Sequence, residues 1–318
     1  METGNTPLIE IDGIFAKLEC DNPTGSIKDR MAEYIIEESE KRGLLKEGMT
    51  IVEATSGNTG ISLSFFGRKY GHPVVIVMPD NMTQERKDKI RSFGAELILC
   101  NGSDFSEVIR IRDRLVLEKG YFNMDQFSNP LNVECHYRTT ASEILKQMPA
   151  GKNIDIFVAG TGTGGTLIGV GKRLREEFPD IKIAAVEPTE SAVMSGGKPG
   201  AHGIPGIGDG FLPDIMTDGT GRLSSFIDIV ETCPTGEARK AAQYLSDAKG
   251  ACVGISSGAN FLAAKRLAKK YDTVITVFPD EFSRYKSTGL KRIGGAYPCK
   301  FLDECKCLYK NECRARFP

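Results

Sequence analysis

The chain has 318 residues, 40% hydrophobic and 26% charged, the make-up of an ordinary globular protein of about two domains or one large one. A net charge of −1 gives no electrostatic reason to expect nucleic acid or an anionic membrane as partner. No apolar run is long enough to span a bilayer, the start carries no signal-peptide pattern, and nine cysteines, an odd number, suit free thiols in a reducing cytoplasm.

In chain order, the first strong signal is Pro23-Thr24-Gly25-Ser26-Ile27-Lys28-Asp29-Arg30. Asn22, Pro23 and Gly25 punctuate the backbone, and Ser26 is expected to cap a helix running through Met31, Tyr34, Ile35 and Ile36. Lys28 then falls in the first helical turn, where the positive end of the helix dipole disfavours a cation. An amine held there converts more easily to a nucleophile or Schiff base. A lysine considered alone is more often a solvated surface residue.

Apolar, β-branched runs then alternate with helical patterns. Strands are predicted over 50–54, 73–78, 96–100, 154–159, 181–187 and 273–278, and helices over 61–70, 83–93, 105–119, 166–178, 237–249 and 259–270. Such alternation implies βαβ units, a parallel sheet and helices on both faces. Ligands then sit beyond the carboxyl ends of the strands. Residues 190–222 are rich in Gly and Pro without periodicity and read as a functional loop region.

Three polar turns open helices. Thr55-Ser56-Gly57-Asn58-Thr59-Gly60 follows the first of these strands and offers hydroxyls, an amide and glycines to a carboxylate or phosphate, or is an ordinary capped loop. Gly160-Thr161-Gly162-Thr163-Gly164-Gly165-Thr166 lets backbone N–H groups close around a phosphate. No lysine follows it as in a Walker A loop, and the glycine spacing is not a dinucleotide fingerprint. Gly254-Ile255-Ser256-Ser257-Gly258-Ala259 supplies hydroxyls for a ring nitrogen or a phosphate, or a plain serine cap.

A reactive lysine, a phosphate cup and a separate carboxylate cradle together suggest pyridoxal 5′-phosphate (PLP) acting on an amino acid. Gly4-Asn5-Thr6-Pro7-Leu8 and residues 22–30, 55–60, 160–166 and 254–259 resemble, in order, the signature of the cysteine synthase family. That family is also called O-acetylserine sulfhydrylase and is close to cystathionine β-synthase. The resemblance covers residues from about 4 to about 295. It implies an α/β, fold type II PLP enzyme, tryptophan synthase β-like, with two open twisted, mostly parallel sheets flanked by helices. The implied domains are residues 1–35 with 135–295 (large, PLP-binding), 36–134 (smaller, mobile, substrate-binding) and a Cys-rich tail, 296–318.

By that resemblance Lys28 forms the internal aldimine and shuttles the α-proton. Thr55, Ser56, Gly57, Asn58 and Thr59 hold the substrate carboxylate, supported by Gln126, and Asn58 also reaches the cofactor's phenolic oxygen. Gly162, Thr163, Gly164, Gly165 and Thr166 bind the phosphate, and Ser256 hydrogen-bonds the pyridine nitrogen. A neutral hydroxyl there makes a weaker electron sink than an aspartate and favours β-elimination. The implied reaction is ping-pong β-replacement through an α-aminoacrylate, with O-acetylserine and sulfide giving cysteine. A homodimer is implied, and serine acetyltransferase is a candidate partner. A binding protein that kept the fold without the activity is the reading from another class. The intact Lys28 and loops argue against it.

The chain departs from the family at several points. Gly206-Ile207-Gly208-Asp209-Gly210-Phe211 carries an aspartate where the family has alanine. Asp209 either turns to solvent or caps a turn, or it acts as a general base on water. In the second case cysteine and water would give serine and hydrogen sulfide. Arg138 departs from a family glutamate and Met82-Thr83-Gln84-Glu85-Arg86 from the mobile segment, neither with an assigned consequence. The family's N-terminal dimer arm is short. Cys299, Cys305, Cys307 and Cys313 offer ligands for zinc or an iron–sulfur cluster, or stay as thiols or a local disulfide.

Overall fold

A computed structural model describes residues 2–55, 57–101, 105–288 and 290. In chain order the strands and helices are β1 (Leu8–Ile11), β2 (Ile14–Leu18), α1 (Lys28–Lys41), β3 (Ile51–Ala54), α2 (Asn58–Tyr70), β4 (Val74–Pro79) and α3 (Gln84–Ser92). Next come β5 (Glu96–Cys100), α4 (Phe105–Lys119), β6 (Phe122–Asn123), α5 (Pro130–Arg138), α6 (Thr140–Gln147), β7 (Ile156–Gly160) and α7 (Gly165–Glu177). The series ends with β8 (Lys182–Pro188), β9 (Ile229–Cys233), α8 (Thr235–Lys249), α9 (Ile255–Leu267) and β10 (Val274–Phe278). Among the described residues no helix is long and apolar enough to cross a membrane.

The strands form a six-stranded sheet ordered β1-β2-β10-β7-β8-β9 and a four-stranded sheet ordered β5-β4-β3-β6. All pairings are parallel except β1 with β2. Helices cover both faces of each sheet, and the alternation of side chains shows why. On β7, Ile156 and Val158 pack into one core with α8 and α9, while Phe157 and Ala159 pack into another with α7. On β3, Ile51 faces α1 and α2, and Val52 and Ala54 face α4. Central strands buried on both faces are almost wholly apolar, which is why β4 reads as a continuous hydrophobic run and β10 departs from one only at Thr276, whose hydroxyl donates to the Val158 carbonyl at 2.8 Å.

The predicted α/β series is present, with boundaries shifted by a few residues, and the structure adds elements the periodicity did not mark. The β1–β2 hairpin turns on Asp12 and Gly13, both at positive φ (51° and 78°), the backbone that an Asp-Gly hairpin favours. Helix α5 starts with Pro130, and the Asn129 side chain accepts from the Leu131 N–H at 3.0 Å. One expectation fails. Ser26 does not cap α1: the residue before the helix is Ile27, no side chain caps it, and the buried Ser26 hydroxyl has no hydrogen-bond partner.

The start of α1 is fixed instead by buried polar groups on its inner face. The Asp29 carboxylate accepts from the Thr24 N–H at 2.6 Å, the Thr24 hydroxyl at 2.5 Å and the Ser62 hydroxyl at 2.6 Å, closing the turn ahead of Lys28. Arg30 pairs with Glu19 and with Glu143, each at 2.7 Å, and Lys17 joins Glu143 at 2.7 Å. Against the upward push of burial, Arg30 and then Lys17 hold the Glu143 carboxyl at about 2.

Candidate active site

Four helices, α1, α2, α7 and α9, present their N-terminal residues Lys28, Asn58, Thr166 and Ser256 to one pocket. Each helix start carries unpaired N–H groups and the positive end of a dipole, so the pocket is built to receive anionic groups. It opens beyond the carboxyl ends of β3, β7 and β10, where strand order dictates a crevice in α/β sheets. Of the residues singled out in sequence, Lys28, Thr55, Gly57, Asn58, Thr59, Gln126, Gly162, Thr163, Gly164, Thr166, Asp209 and Ser256 all line it. Gly165 sits behind, against the Asn132 side chain. Ser56 and the four tail cysteines lie outside the described residues. Among the described residues no group of three His, Cys, Asp or Glu side chains could hold a metal.

Lys28 is half-buried at the pocket floor. Burial pushes its amine below the usual lysine value, and the carboxylates of Asp209 and Glu53 push the other way. Glu53, the penultimate residue of β3, is wholly buried, and desolvation lifts its carboxyl to about 7 while Arg112 lowers it. It also accepts from the Gln126 N–H at 3.1 Å. Gln126 accepts from the Thr59 hydroxyl at 2.7 Å and donates to the Ala54 carbonyl at 3.2 Å. The pocket wall at Gln126 is therefore a braced amide rather than a free side chain.

The loop after β7 tests whether a phosphate group fits. A Cβ on Gly162 would meet the Gly206 carbonyl at 2.6 Å, and one on Gly165 would meet the Asn132 carboxamide at 2.0 Å. Gly164 has φ +85° and would meet Met216 at 2.2 Å. Glycine is thus required by both space and backbone, and the loop is a concave run of main-chain N–H groups. That cradle, with the Thr163 and Thr166 hydroxyls beside it, fits a phosphate.

Several supporting residues escaped the sequence reading. His136 lies under Thr166, its Nε2 3.3 Å from the hydroxyl and its Nδ1 2.9 Å from Thr140. Burial, then the charges of Lys28 and Arg30, drive its pKa well below the usual histidine value, so the ring is neutral. Asn132 donates both to the Gln126 carbonyl (2.8 Å) and to the Thr163 hydroxyl (3.0 Å), joining the Gln126 wall of the pocket to the glycine loop. Asp280 and Arg284, just past β10, hold the two ends of the Asn58 amide at 2.7 and 2.5 Å. The Asn129-Pro130 pair at the start of α5 is the one local signal that could have found the helix bearing Asn132 and His136, and nothing local marks the contacts themselves.

Asp209 faces inward. It is half-buried on the pocket wall, with Oδ2 3.2 Å from the Cβ position of Gly162. Burial raises its carboxyl above the usual aspartate range, opposed by the charge of Lys28. The loop that carries it is held by His202, whose Nε2 lies 2.9 Å from the Gly208 carbonyl. Phe211, two residues on, meets Phe127 with ring centroids 5.0 Å apart.

Comparisons with known proteins agree with this arrangement. The cysteine synthase of Staphylococcus aureus is 43% identical over 299 residues, spanning 90% of this chain and 94% of that protein. The hydrogen sulfide-producing enzyme of Fusobacterium nucleatum superposes with a TM-score of 0.85 at 42% identity, over 93% of this chain and 91% of that one. An aspartate-to-asparagine mutant of that enzyme was solved with an α-aminoacrylate intermediate. The O-acetylserine dependent cystathionine β-synthase of Helicobacter pylori superposes with a TM-score of 0.84 at 36% identity, over 90% of this chain and 96% of that one. Residues 1–280 match the family described as pyridoxal-phosphate dependent enzyme. The chain belongs to the pyridoxal-phosphate dependent enzymes and, among them, to the cysteine synthase family.

Proposed function

We propose that this protein catalyses β-replacement on an amino acid, making cysteine from O-acetylserine and sulfide. The observation that carries the reading is the meeting, in one pocket, of the Lys28 amine, the residues Thr55, Gly57, Asn58 and Thr59, and the glycine-loop residues Gly162, Thr163, Gly164 and Thr166. Pyridoxal phosphate, when bound, supplies the electron sink that makes the α-proton acidic and lets the Cβ substituent leave. Lys28 attaches the cofactor, takes the α-proton and later returns it, and its depressed basicity suits both tasks. Gly162, Thr163, Gly164, Gly165 and Thr166 hold the phosphate, and Ser256 donates to the ring nitrogen. Thr55, Ser56, Gly57, Asn58 and Thr59, backed by Gln126, hold the substrate carboxylate.

One observation favours a second nucleophile. Asp209 sets a carboxylate beside Lys28 and Gly162, inside the pocket, with basicity raised by burial. A base there takes a proton from water, whose oxygen then bonds to Cβ in place of sulfide. The net reaction is L-cysteine plus water giving L-serine plus hydrogen sulfide. The 42% identical Fusobacterium relative is a hydrogen sulfide-producing enzyme, which supports this direction.

By resemblance to the family, the reading carries a homodimer in the cytoplasm, a smaller mobile unit over residues 36–134, and serine acetyltransferase as a partner.

Purified holoenzyme given L-cysteine alone, with serine and sulfide quantified, is compared with holoenzyme given O-acetylserine and sulfide, with cysteine quantified. Rapid cysteine formation with negligible serine supports synthesis. Serine and sulfide in equal amounts, at a rate rivalling synthesis, support the water reaction. Neither product, from protein that has bound the cofactor, rules out both.

A further inference from the structure

The short helical turn Phe282–Thr288 follows β10 and is built around three buried side chains, Asp280, Arg284 and Tyr285. They meet the turns ahead of Lys28 and Ser256 and the first residue of α2, Asn58. The Arg284 guanidinium donates to the Thr24 carbonyl in the turn before Lys28, and the Ile27 N–H donates to the Pro279 carbonyl at 2.8 Å. The Gly254 N–H, ahead of Ser256, donates to the Asp280 carbonyl at 2.9 Å. A Cβ on Gly254 would lie 2.0 Å from Asp280 Oδ1, so the contact demands glycine. The Tyr285 hydroxyl donates to Asp280 Oδ2 at 2.5 Å, and the Arg86 guanidinium lies 5.9 Å from the Tyr285 ring centroid.

The same node grips Asn58 from both sides. Asn58 Nδ2 donates to Asp280 Oδ2 at 2.7 Å, and Asn58 Oδ1 accepts from Arg284 Nη1 at 2.5 Å. A carboxylate accepts only and a guanidinium donates only, so these partners allow the amide one orientation. Both bonds are charge-assisted and partly buried, and charge assistance makes them stronger than neutral ones. An amide nitrogen has two hydrogens, and Asp280 takes one. The other remains for a ligand.

We propose that Asp280 and Arg284 are positioning residues that lock the flip state of the Asn58 amide and thereby aim its second N–H at the phenolic oxygen of the bound cofactor. The inference rests on the reading of Asn58 as the cofactor's contact. It assigns to the segment after β10 a part in tuning the cofactor, beyond the packing role that its burial suggests. A hydrogen bond at the phenolic oxygen sets the tautomer of the cofactor's imine, so the clamp has an optical signature independent of turnover.

The test uses holoenzyme and reads the cofactor's visible absorption band together with kcat and KM. Asn58→Ala is expected to shift the band. Arg284→Met is expected to shift it in the same sense, to lower kcat/KM roughly 10- to 100-fold, as loss of a charge-assisted hydrogen bond implies, and to add nothing further when combined with Asn58→Ala. Arg284→Lys, which keeps a donor, is expected to restore most of the band. Should Arg284→Met fail to fold, Asp280→Asn serves: it keeps the volume, weakens one side of the grip by replacing the carboxylate with a neutral amide, and is expected to shift the band as well. A wild-type band in Arg284→Met or Asp280→Asn, while Asn58→Ala shifts, overturns the clamp and leaves the Asn58 contact standing. An unmoved band in Asn58→Ala overturns that contact and the clamp with it.

Discussion

Gly162 and Asp209 stand so close that Asp209 Oδ2 lies 3.2 Å from the point a Cβ on Gly162 would occupy, and the Gly206 carbonyl lies only 2.6 Å from it. The glycine loop and the Asp209 loop therefore pack directly against each other, and the Gly208 N–H donates to the Thr161 carbonyl at 3.0 Å. The carboxylate is delivered to the pocket wall by the same contact that shapes the phosphate cradle.

That contact predicts the outcome of Gly162→Ala. The methyl group meets backbone, which cannot rotate aside, so the variant is expected to lose about 1–3 kcal/mol of stability and to retain less cofactor after dialysis. Urea unfolding and cofactor absorbance per chain measure both. Wild-type values for the two would mean that the loops are not packed as described.

Asp209→Asn keeps the size of the side chain and removes the base. Serine release from cysteine is expected to fall at least about 100-fold, the usual loss for a missing general base. Cysteine formation from O-acetylserine and sulfide, whose nucleophile needs no such help, is expected to change far less. Product quantification by chromatography separates the two, and unchanged serine output rejects Asp209 as the base.

Thr59→Val removes the hydroxyl that Gln126 accepts at 2.7 Å. The amide loses one brace in the carboxylate cradle, worth about 1 kcal/mol. The expected result is a KM for the amino acid raised roughly fivefold with kcat little altered. Steady-state kinetics tests it, and a drop in kcat at constant KM contradicts the carboxylate assignment.

Glu143→Gln leaves Lys17 and Arg30 short of an anion in the interior. Removing one member of a buried ion cluster costs about 3 kcal/mol or more, to be read by urea unfolding near neutral pH. The pH dependence has a worked sign. Glu143 titrates at about 2 when folded against a reference of 4.5, so its stabilisation is complete above 4.5 and is lost as pH falls toward 2. Glu53 runs the other way. With its carboxyl raised from 4.5 to about 7, its contribution is complete below 4.5 and is lost as pH rises through 7. Unfolding curves across acid pH are expected to flatten in Glu143→Gln; the wild-type slope persisting there would show that Glu143 is not the titrating group.

Much of the site was legible because its chemistry is contiguous. Lys28 at a helix start and the Gly-, Ser- and Thr-rich turns at 55–60, 160–166 and 254–259 each follow from local rules of turn and helix. A parallel strand ends, a helix begins, and the residues between face the crevice. The β1–β2 hairpin was not read from the sequence, although Asp12-Gly13 is a local turn signal that fits its positive φ angles. The expected Ser26 cap failed because Asp29, Thr24 and Ser62 settle the start of α1 through buried side-chain bonds that no capping pattern describes.

The sequence by itself therefore determined the α/β class and the positions of Lys28 and of the polar turns at helix starts, since each depends on neighbours a few residues away. Only the tertiary structure decided that Asp209 turns into the pocket, that a neutral His136 supports Thr166, and that Asn58 is gripped by Asp280 and Arg284, 222 and 226 residues further along. Those contacts depend on the order of strands in the sheet, with β10 inserted between β2 and β7. Strand order is set by burying four apolar cores at once, an energy summed over the whole chain that no single stretch of it carries.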